Sequence, residues 1–108
     1  MSAVTPPAAA WQWPADVLDF AARNKVAAYL DPLVEVIRTL FPTALHVRVS
    51  VETDPEIHDD RHVVFHVLVP RADVPDFVQA KRRWHRELFA TCPAPLACTF
   101  RLALVAVA

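Results

Sequence analysis

LHVRVSVETDPEIHDDRHVVFHVLV, residues 45–69, contains two segments in which apolar residues occupy every second position, separated by a charged loop. Alternation of this kind is typical of β-strands that bury one face and expose the other. It predicts strands at 45–51 and 63–69, joined as a hairpin. The residues expected to face the core are Leu45, Val47, Val49, Val51, Val63, Phe65, Val67 and Val69.

Apolar residues at helical spacing precede the hairpin. Pro14 can open a first helix that ends at Asn24, because proline is well tolerated in a first helical turn. The helical spacing then continues over 25–41, where Asp31-Pro32 interrupts it as an N-cap followed by a proline at the first helical position. Residues 25–41 therefore form either one kinked helix or two short helices in line.

A third helix and a last strand follow the hairpin. The helix is expected to begin at Asp73 and to end at Cys92-Pro93, since aspartate is a favoured cap and proline cannot continue a helix. Residues 99–107 are predicted to form the last strand. The apolar stripe of the helix, which is expected to be buried, consists of Val74, Phe77, Val78, Trp84, Leu88 and Phe89.

The predicted element order, ααββαβ, indicates an α+β fold. A right-handed helical crossover makes the second and third strands parallel, and the third strand is then expected beside the first. This gives a two-layer sandwich, in which a three-stranded antiparallel sheet in the spatial order 2-1-3 has helices on one face. The single domain is expected to span 14–108, after a flexible tail at 1–13 that is rich in proline and alanine.

The amino-acid composition excludes several classes of site. The 108 residues include no glycine, whereas phosphate-binding loops, dinucleotide-binding fingerprints and nucleophile elbows all require it. No segment approaches the ~20 apolar residues of a membrane span, and the N-terminus lacks the pattern of a signal peptide. We therefore expect a cytoplasmic protein without a cofactor and without membrane association, in which Cys92 and Cys98 are free thiols.

The loop at 52–62 is the first candidate site. It concentrates carboxylates and histidines, which are ligands of calcium, magnesium and transition metals. The same residues also suit a plain charged turn, because aspartate can bond its own backbone there, and their spacing matches no established metal-binding loop. The sequence favours the turn, with a metal-dependent activity as the alternative. The metal ligands would then be His58, His62, His66, Asp54 and Glu56.

The polar face of the predicted sheet is the second candidate site. If Glu52 lies opposite His62 in the hairpin, Arg48 lies opposite His66. The last strand adds apolar residues to this face, and an unpaired apolar edge strand tends to associate with other chains. We therefore expect an interaction face that is used in a homodimer or with another protein. It comprises His46, Arg48, Val64, His66, Arg101, Ala103 and Val105.

The third helix carries the third candidate site, the basic sequence KRRWHR at 81–86. A basic helix with an aromatic residue is a feature of some nucleic-acid-binding proteins. Cations near a helix C-terminus also oppose the helix dipole without any ligand, and the net charge of −1 gives no general attraction to nucleic acid. Nucleic acid is therefore an alternative and not the expected partner. It would bind Lys81, Arg82, Arg83 and Arg86.

A nucleophilic enzyme finds little support in the sequence. Ser50 lies within a predicted strand, and Cys92 lies at the C-terminal end of a helix, where the dipole opposes a thiolate. We therefore predict no catalytic residue. The residues favour a non-catalytic protein-interaction module.

The D-P-E sequence at Asp54, Pro55 and Glu56, together with Trp84 in the third helix, resembles a family of small uncharacterised bacterial proteins. The similarity covers residues 15–105 and implies two N-terminal helices, a strand, the D-P-E turn, a strand, a helix and a final strand. It implies no established activity. Proteins of this kind resemble partners of a neighbouring gene product, such as antitoxins or accessory subunits.

Overall fold

The computed structural model describes residues 13–53, 56 and 61–107. Its elements confirm the α+β class and follow the predicted order, with short helical turns added between them. In chain order they are helix α1 (Ala15–Arg23), a 3-10 turn (Ala27–Tyr29), helix α2 (Leu30–Leu40), strands β1 (His46–Thr53) and β2 (Arg61–Pro70), a 3-10 turn (Arg71–Asp73), helix α3 (Phe77–Thr91), the short helix α4 (Ala94–Ala97) and strand β3 (Phe100–Val107).

The described strands form a mixed sheet in the order β1-β2-β3. β1 and β2 are antiparallel, while β2 and β3 are parallel, as a helical crossover between them requires. The prediction of an antiparallel sheet in the order 2-1-3 is therefore wrong. The last strand pairs with β2, so β2 is the central strand and β1 is an edge.

The outer face of the sheet, which is turned away from the helices, explains which strand is central. On β1 this face is polar throughout, from His46 to Glu52, which suits an edge strand. β2 adds Val64 and Leu68 on the outer face to its core residues, and strands in the middle of a sheet are often apolar on both faces. The side of β2 away from β1 is occupied by β3.

The hairpin register matches the pairing expected from the sequence. Glu52 lies opposite His62, and Arg48 lies opposite His66. Leu45 precedes β1 and is 61% exposed, so its assignment to the core is wrong. The loop residues 54, 55 and 57–60 lie outside the described residues.

Within the described part of the chain, the helices and one face of the sheet share one hydrophobic core, centred on Phe65. The Phe65 ring meets those of Trp13 and Trp84 edge-on, with centroids 6.4 and 5.8 Å away, and stacks on Phe100 at 6.2 Å. Such aromatic pairs contribute about 0.5–1.5 kcal/mol each beyond their burial. Trp13 also donates from Nε1 to Asp31 Oδ1 at 2.9 Å, so it packs on the domain although the sequence assigns it to the tail. The rest of that tail lies outside the described residues.

Helix α3 begins later than predicted. Its N-cap is Asp76, whose Oδ1 accepts a hydrogen bond from the Gln79 backbone N–H at 3.0 Å. Asp73, the predicted start, ends a separate 3-10 turn. Pro75 follows that turn and precedes the cap, so the helix begins only after the proline.

The buried stripe of α3 is narrower than predicted. Trp84 and Leu88 are 1% and 2% exposed, as expected for core residues. Val78 and Phe89 are 62% and 57% exposed, so their assignment to the stripe is wrong. At about 100° per residue, both lie roughly 120–140° around the helix from Trp84. They share one exposed side of α3.

Helix α1 ends in a cap whose left-handed position, usually glycine in proteins, is occupied by Lys25. The N–H of Val26 donates to Ala21 O at 2.9 Å, and the N–H of Lys25 donates to Ala22 O at 3.3 Å, the pair of bonds that defines a Schellman cap. Lys25 has a φ of 61°, in the left-handed region that glycine enters without a Cβ penalty. The cap is therefore built at a conformational cost.

Lys25→Gly should raise the free energy of unfolding by about 1 kcal/mol, because it removes that penalty. Urea denaturation measures the change. The matched control is Ala22→Gly, at an exposed position inside α1, which should lower the same free energy by about 0.5–1 kcal/mol. Equal effects of the two glycines would contradict this account of the cap.

Trp84→Ala should lower the free energy of unfolding by about 3–5 kcal/mol, since it leaves a cavity beside Phe65. That is a large share of the stability of a small domain. Phe89→Ala, an aromatic deletion on the exposed side of the same helix, should change it by less than about 0.5 kcal/mol. If the two variants melted alike, the packing of α3 on the sheet would be wrong.

Among the described residues, none of the helices is both long and apolar enough to cross a membrane.

Candidate functional site

The sheet register brings all seven residues of the predicted interaction face onto the outer face. They come from three strands and form rows across the sheet. The rows are His46–Leu68–Val105, Arg48–His66–Ala103 and Ser50–Val64–Arg101.

Exposure divides the outer face into a covered centre and an open side at β3. Val64 is 5% exposed although it lies outside the core cluster formed with the helices, and His62 is 7% exposed. Val105 is 50% exposed. The expectation that Val64 contributes exposed apolar surface is therefore wrong. Of the residues described on this face, Val105 is the exposed large apolar side chain.

Ser50, Glu52 and His66 form a hydrogen-bonded cluster on the outer face. Ser50 Oγ donates to Glu52 Oε2 at 2.8 Å and lies 3.0 Å from His66 Nε2. His66 Nε2 also lies 2.7 Å from the same Glu52 Oε2. The hydrogen bond from Ser50 lowers the pKa of the Glu52 carboxyl most; partial burial opposes this, and the hydrogen bond and charge of His66 lower the pKa further.

The geometry of this cluster does not suit nucleophilic catalysis. In a serine–histidine–acid triad the carboxylate binds one ring nitrogen and the serine the other, so that the ring can relay a proton. Here Ser50 and Glu52 both contact Nε2 of His66. The cluster therefore connects β1 to the central strand without activating the serine.

The cluster predicts a pH dependence of stability. Because folding lowers the pKa of Glu52, the contribution of this carboxylate is fully present above the usual carboxyl pKa and is lost as the pH falls through the lowered value. In Ser50→Ala, the Glu52 pKa should rise towards its usual value, as followed by ¹³C NMR titration of the side-chain carboxyl. The acid-induced loss of stability should accordingly be smaller.

A hydroxyl deletion elsewhere controls for general effects. Thr39 Oγ1 donates to the Glu35 backbone on α2, so Thr39→Ala should leave the Glu52 titration unchanged. A Glu52 pKa that did not move in Ser50→Ala would show that the serine hydrogen bond is not its main cause.

The two cysteines are free thiols, as predicted. Cys92 is buried, and Cys98 is exposed. Burial raises the pKa of the Cys92 thiol, and the neighbouring Cys98 raises it slightly further. A thiol with a raised pKa is a poor nucleophile at neutral pH.

The proposed metal ligands are only partly within the described residues. His62 and His66 lie four residues apart on β2, which separates them by about 13 Å along the strand. They are too far apart to bind one ion together. Among the residues described, no group of three histidine, cysteine or acidic side chains could hold a metal. Glu56 is an exposed turn residue, and Asp54 and His58 lie outside the described residues, so a metal site in the loop stays a prediction.

The four cations proposed to bind nucleic acid are all exposed on α3, but they do not share one face. Lys81 and Arg83 are two residues apart, which puts them on nearly opposite sides of the helix. Arg83 lines a cleft of about 170 Å³ together with Asp73 and Asp76. A phosphate backbone would therefore meet at most part of this set at once.

A groove of about 350 Å³ lies between α3, α4 and the first half of β3. Lys81 and His85, one helical turn apart, line it from α3, and Phe100, Arg101 and Leu102 line it from β3. Trp84 and Leu88 contribute the buried part of the wall, and the exposed Phe89 contributes its rim.

Sequence reasoning missed this groove. The sequence pattern placed Phe89 in the buried stripe of α3. In the structure Phe89 is exposed and forms part of the apolar wall of the groove, beside the edge strand β3. The groove also contains Cys98, which the sequence offered only as a thiol. The available signal was the position of Phe89, which lies off the helical stripe that contains Trp84 and Leu88.

Comparison with protein-family models, with curated proteins and with solved structures finds no match to this chain in any of the three. The resemblance carried by the D-P-E turn and Trp84 therefore stays a resemblance.

Proposed function

We propose that this chain is a non-catalytic protein-interaction module that binds other chains by adding an extended segment to the outer edge of β3. The observation that supports this most is the composition and pairing of that strand. Among the described strands, β3 pairs with β2 alone. Over Phe100–Val107 its side chains are apolar except for Arg101. Such an edge is a ready template for another strand.

The backbone groups available at this edge follow from the ladder. Thr99 O accepts a hydrogen bond from the Val63 N–H of β2 at 2.8 Å. Because alternate residues of a strand direct their backbone groups to opposite sides, Arg101, Ala103 and Val105 pair with β2. The residues that direct theirs outward are Leu102, Leu104 and Ala106.

The opposite edge of the sheet is less suited to strand addition. β1 carries Arg48 and Glu52 on its outer face, and charged side chains are a common protection of edge strands. Helix α1 also contacts β1. Of the two edges of the described sheet, β3 is therefore the one that favours association.

The remaining parts of the proposal concern location and partner type. We propose a cytoplasmic location, which its two free thiols support. The role that fits a small module of this kind is that of an accessory subunit or antitoxin-like partner of another protein. The homodimer expected from the sequence is the special case in which the added strand is β3 of a second copy.

Strand addition can be tested without knowing the natural partner. A synthetic peptide that alternates valine with threonine should slow hydrogen–deuterium exchange at the outward amides of Leu102, Leu104 and Ala106, because each would gain a partner. The amides of Ala103 and Val105, already paired with β2, should be protected with or without peptide. NMR-detected exchange resolves the two sets.

Two controls identify the edge as the cause. A peptide N-methylated on its pairing edge should give no protection, since it cannot form the ladder. Ala106→Pro removes one outward N–H, where proline is tolerated in an edge strand, and should reduce the protection while the melting temperature stays close to that of the parent. No protection by any strand-forming peptide would refute the proposal.

A further inference from the structure

We infer that the natural occupant of this edge is an acidic, extended segment of a different protein, seated in the groove between α3 and β3. The inference rests on the proposed function and names the partner chemistry of the same site.

The groove runs along the edge of β3. Phe100 and Leu102 belong to the core face of the strand, whereas Arg101 belongs to its outer face, yet all three line the groove. Because successive side chains of a strand point to opposite faces, a groove that touches all three must follow the strand's edge. An occupant therefore meets the outward backbone groups of β3 directly.

The charge of the groove favours an acidic occupant. Lys81 and His85 face β3 across it from α3, and Arg101 lies on the strand itself. No aspartate or glutamate is among the described residues that line it. Glutamate or aspartate side chains on an added strand would lie beside these groups, and complementary charge gives specificity to an interface whose apolar walls alone would accept many strands.

A second copy of this chain fits the groove less well. The strand that it would supply, Phe100–Val107, contains no carboxylate, and its one charged residue is Arg101. The basic side chains of the groove in each copy would then meet apolar or like-charged side chains. A different chain with acidic residues places complementary charge beside Lys81, while a second copy does not.

Trp84 leaves one polar group unsatisfied in the wall of the groove. It is 1% exposed and lines the groove, and its Nε1–H finds no hydrogen-bond acceptor among the described residues. Buried indole N–H groups usually have one. An oxygen of the occupant could provide it only if a small rearrangement of the groove wall exposed this N–H, because the atom itself is buried.

The test compares short fluorescein-labelled peptides that differ in charge alone. One alternates valine with glutamate, a second valine with lysine, and the neutral reference is the valine–threonine peptide. Fluorescence anisotropy should show the glutamate peptide binding at least about tenfold tighter than the neutral one, as expected for charge-assisted contacts. The lysine peptide should bind more weakly than the neutral one.

Two charge-reversing variants of α3 show whether the preference for the glutamate peptide arises in the groove. Lys81→Glu should weaken binding of the glutamate peptide by about tenfold or more. Arg83→Glu makes the same change of charge on the far side of the same helix and should alter the affinity by less than about twofold. Both positions are exposed, so neither variant should change the melting temperature much.

The outcomes separate this inference from the proposed function. If all three peptides protect the outward β3 amides equally, strand addition stands and the acidic partner is wrong. A dimer seen by light scattering that Val105→Lys dissociates would likewise keep the edge and replace the acidic partner by a second copy. A single-stranded oligonucleotide that binds tighter than the glutamate peptide, and loses affinity in Lys81→Glu, would overturn the inference in favour of nucleic acid.

Discussion

The contact between Phe65 and Trp84 is the interaction on which the rest of the structure depends. Phe65 lies at the middle of the central strand with none of its surface exposed, and its ring contacts aromatic residues from the segment before α1, from α3 and from β3. The contact with Trp84 fixes the rotation of α3 about its axis. Since Lys81 and His85 lie next to Trp84 on that helix, the same contact determines which side chains line the groove at β3.

The two edge strands of the described sheet, β1 and β3, differ in the polarity of their side chains. At β1, polar side chains occupy the outer face, and Ser50, Glu52 and His66 connect the strand to β2 by hydrogen bonds. Among the described strands β3 pairs only with β2, and its outer face carries the exposed side chain of Val105. The mixed topology produces this asymmetry, because the crossover through α3 delivers the most apolar strand of the sheet to its edge rather than to its centre.

The sequence predicts the parts of the fold that depend on local pattern. Alternation identified the core residues of β2 and the hairpin register, and helical spacing identified Trp84 and Leu88. Strand order failed because alternation shows which face of a strand is buried but not which strand lies beside it; Val64 and Leu68, apolar on the outer face of β2, were the overlooked sign of a central strand. The groove could not be predicted, because its residues come from α3, α4 and β3 and meet only through the tertiary packing.

An exposed apolar edge strand carries a risk of uncontrolled association, and under the proposed function the groove would limit which chains can bind there. The exposed apolar surface of its wall comes mainly from Phe89, and any apolar side chain that covers this surface gains free energy. If β3 binds an added strand as proposed, Lys81 and His85 would favour strands that carry acidic residues and disfavour basic ones, in the way that like charges suppress wrong partners at interfaces. In the inference drawn above, this selectivity would come from Lys81 and His85 of α3 together with Arg101 of β3. The helix that packs Trp84 into the core would then also carry side chains that discriminate between partners.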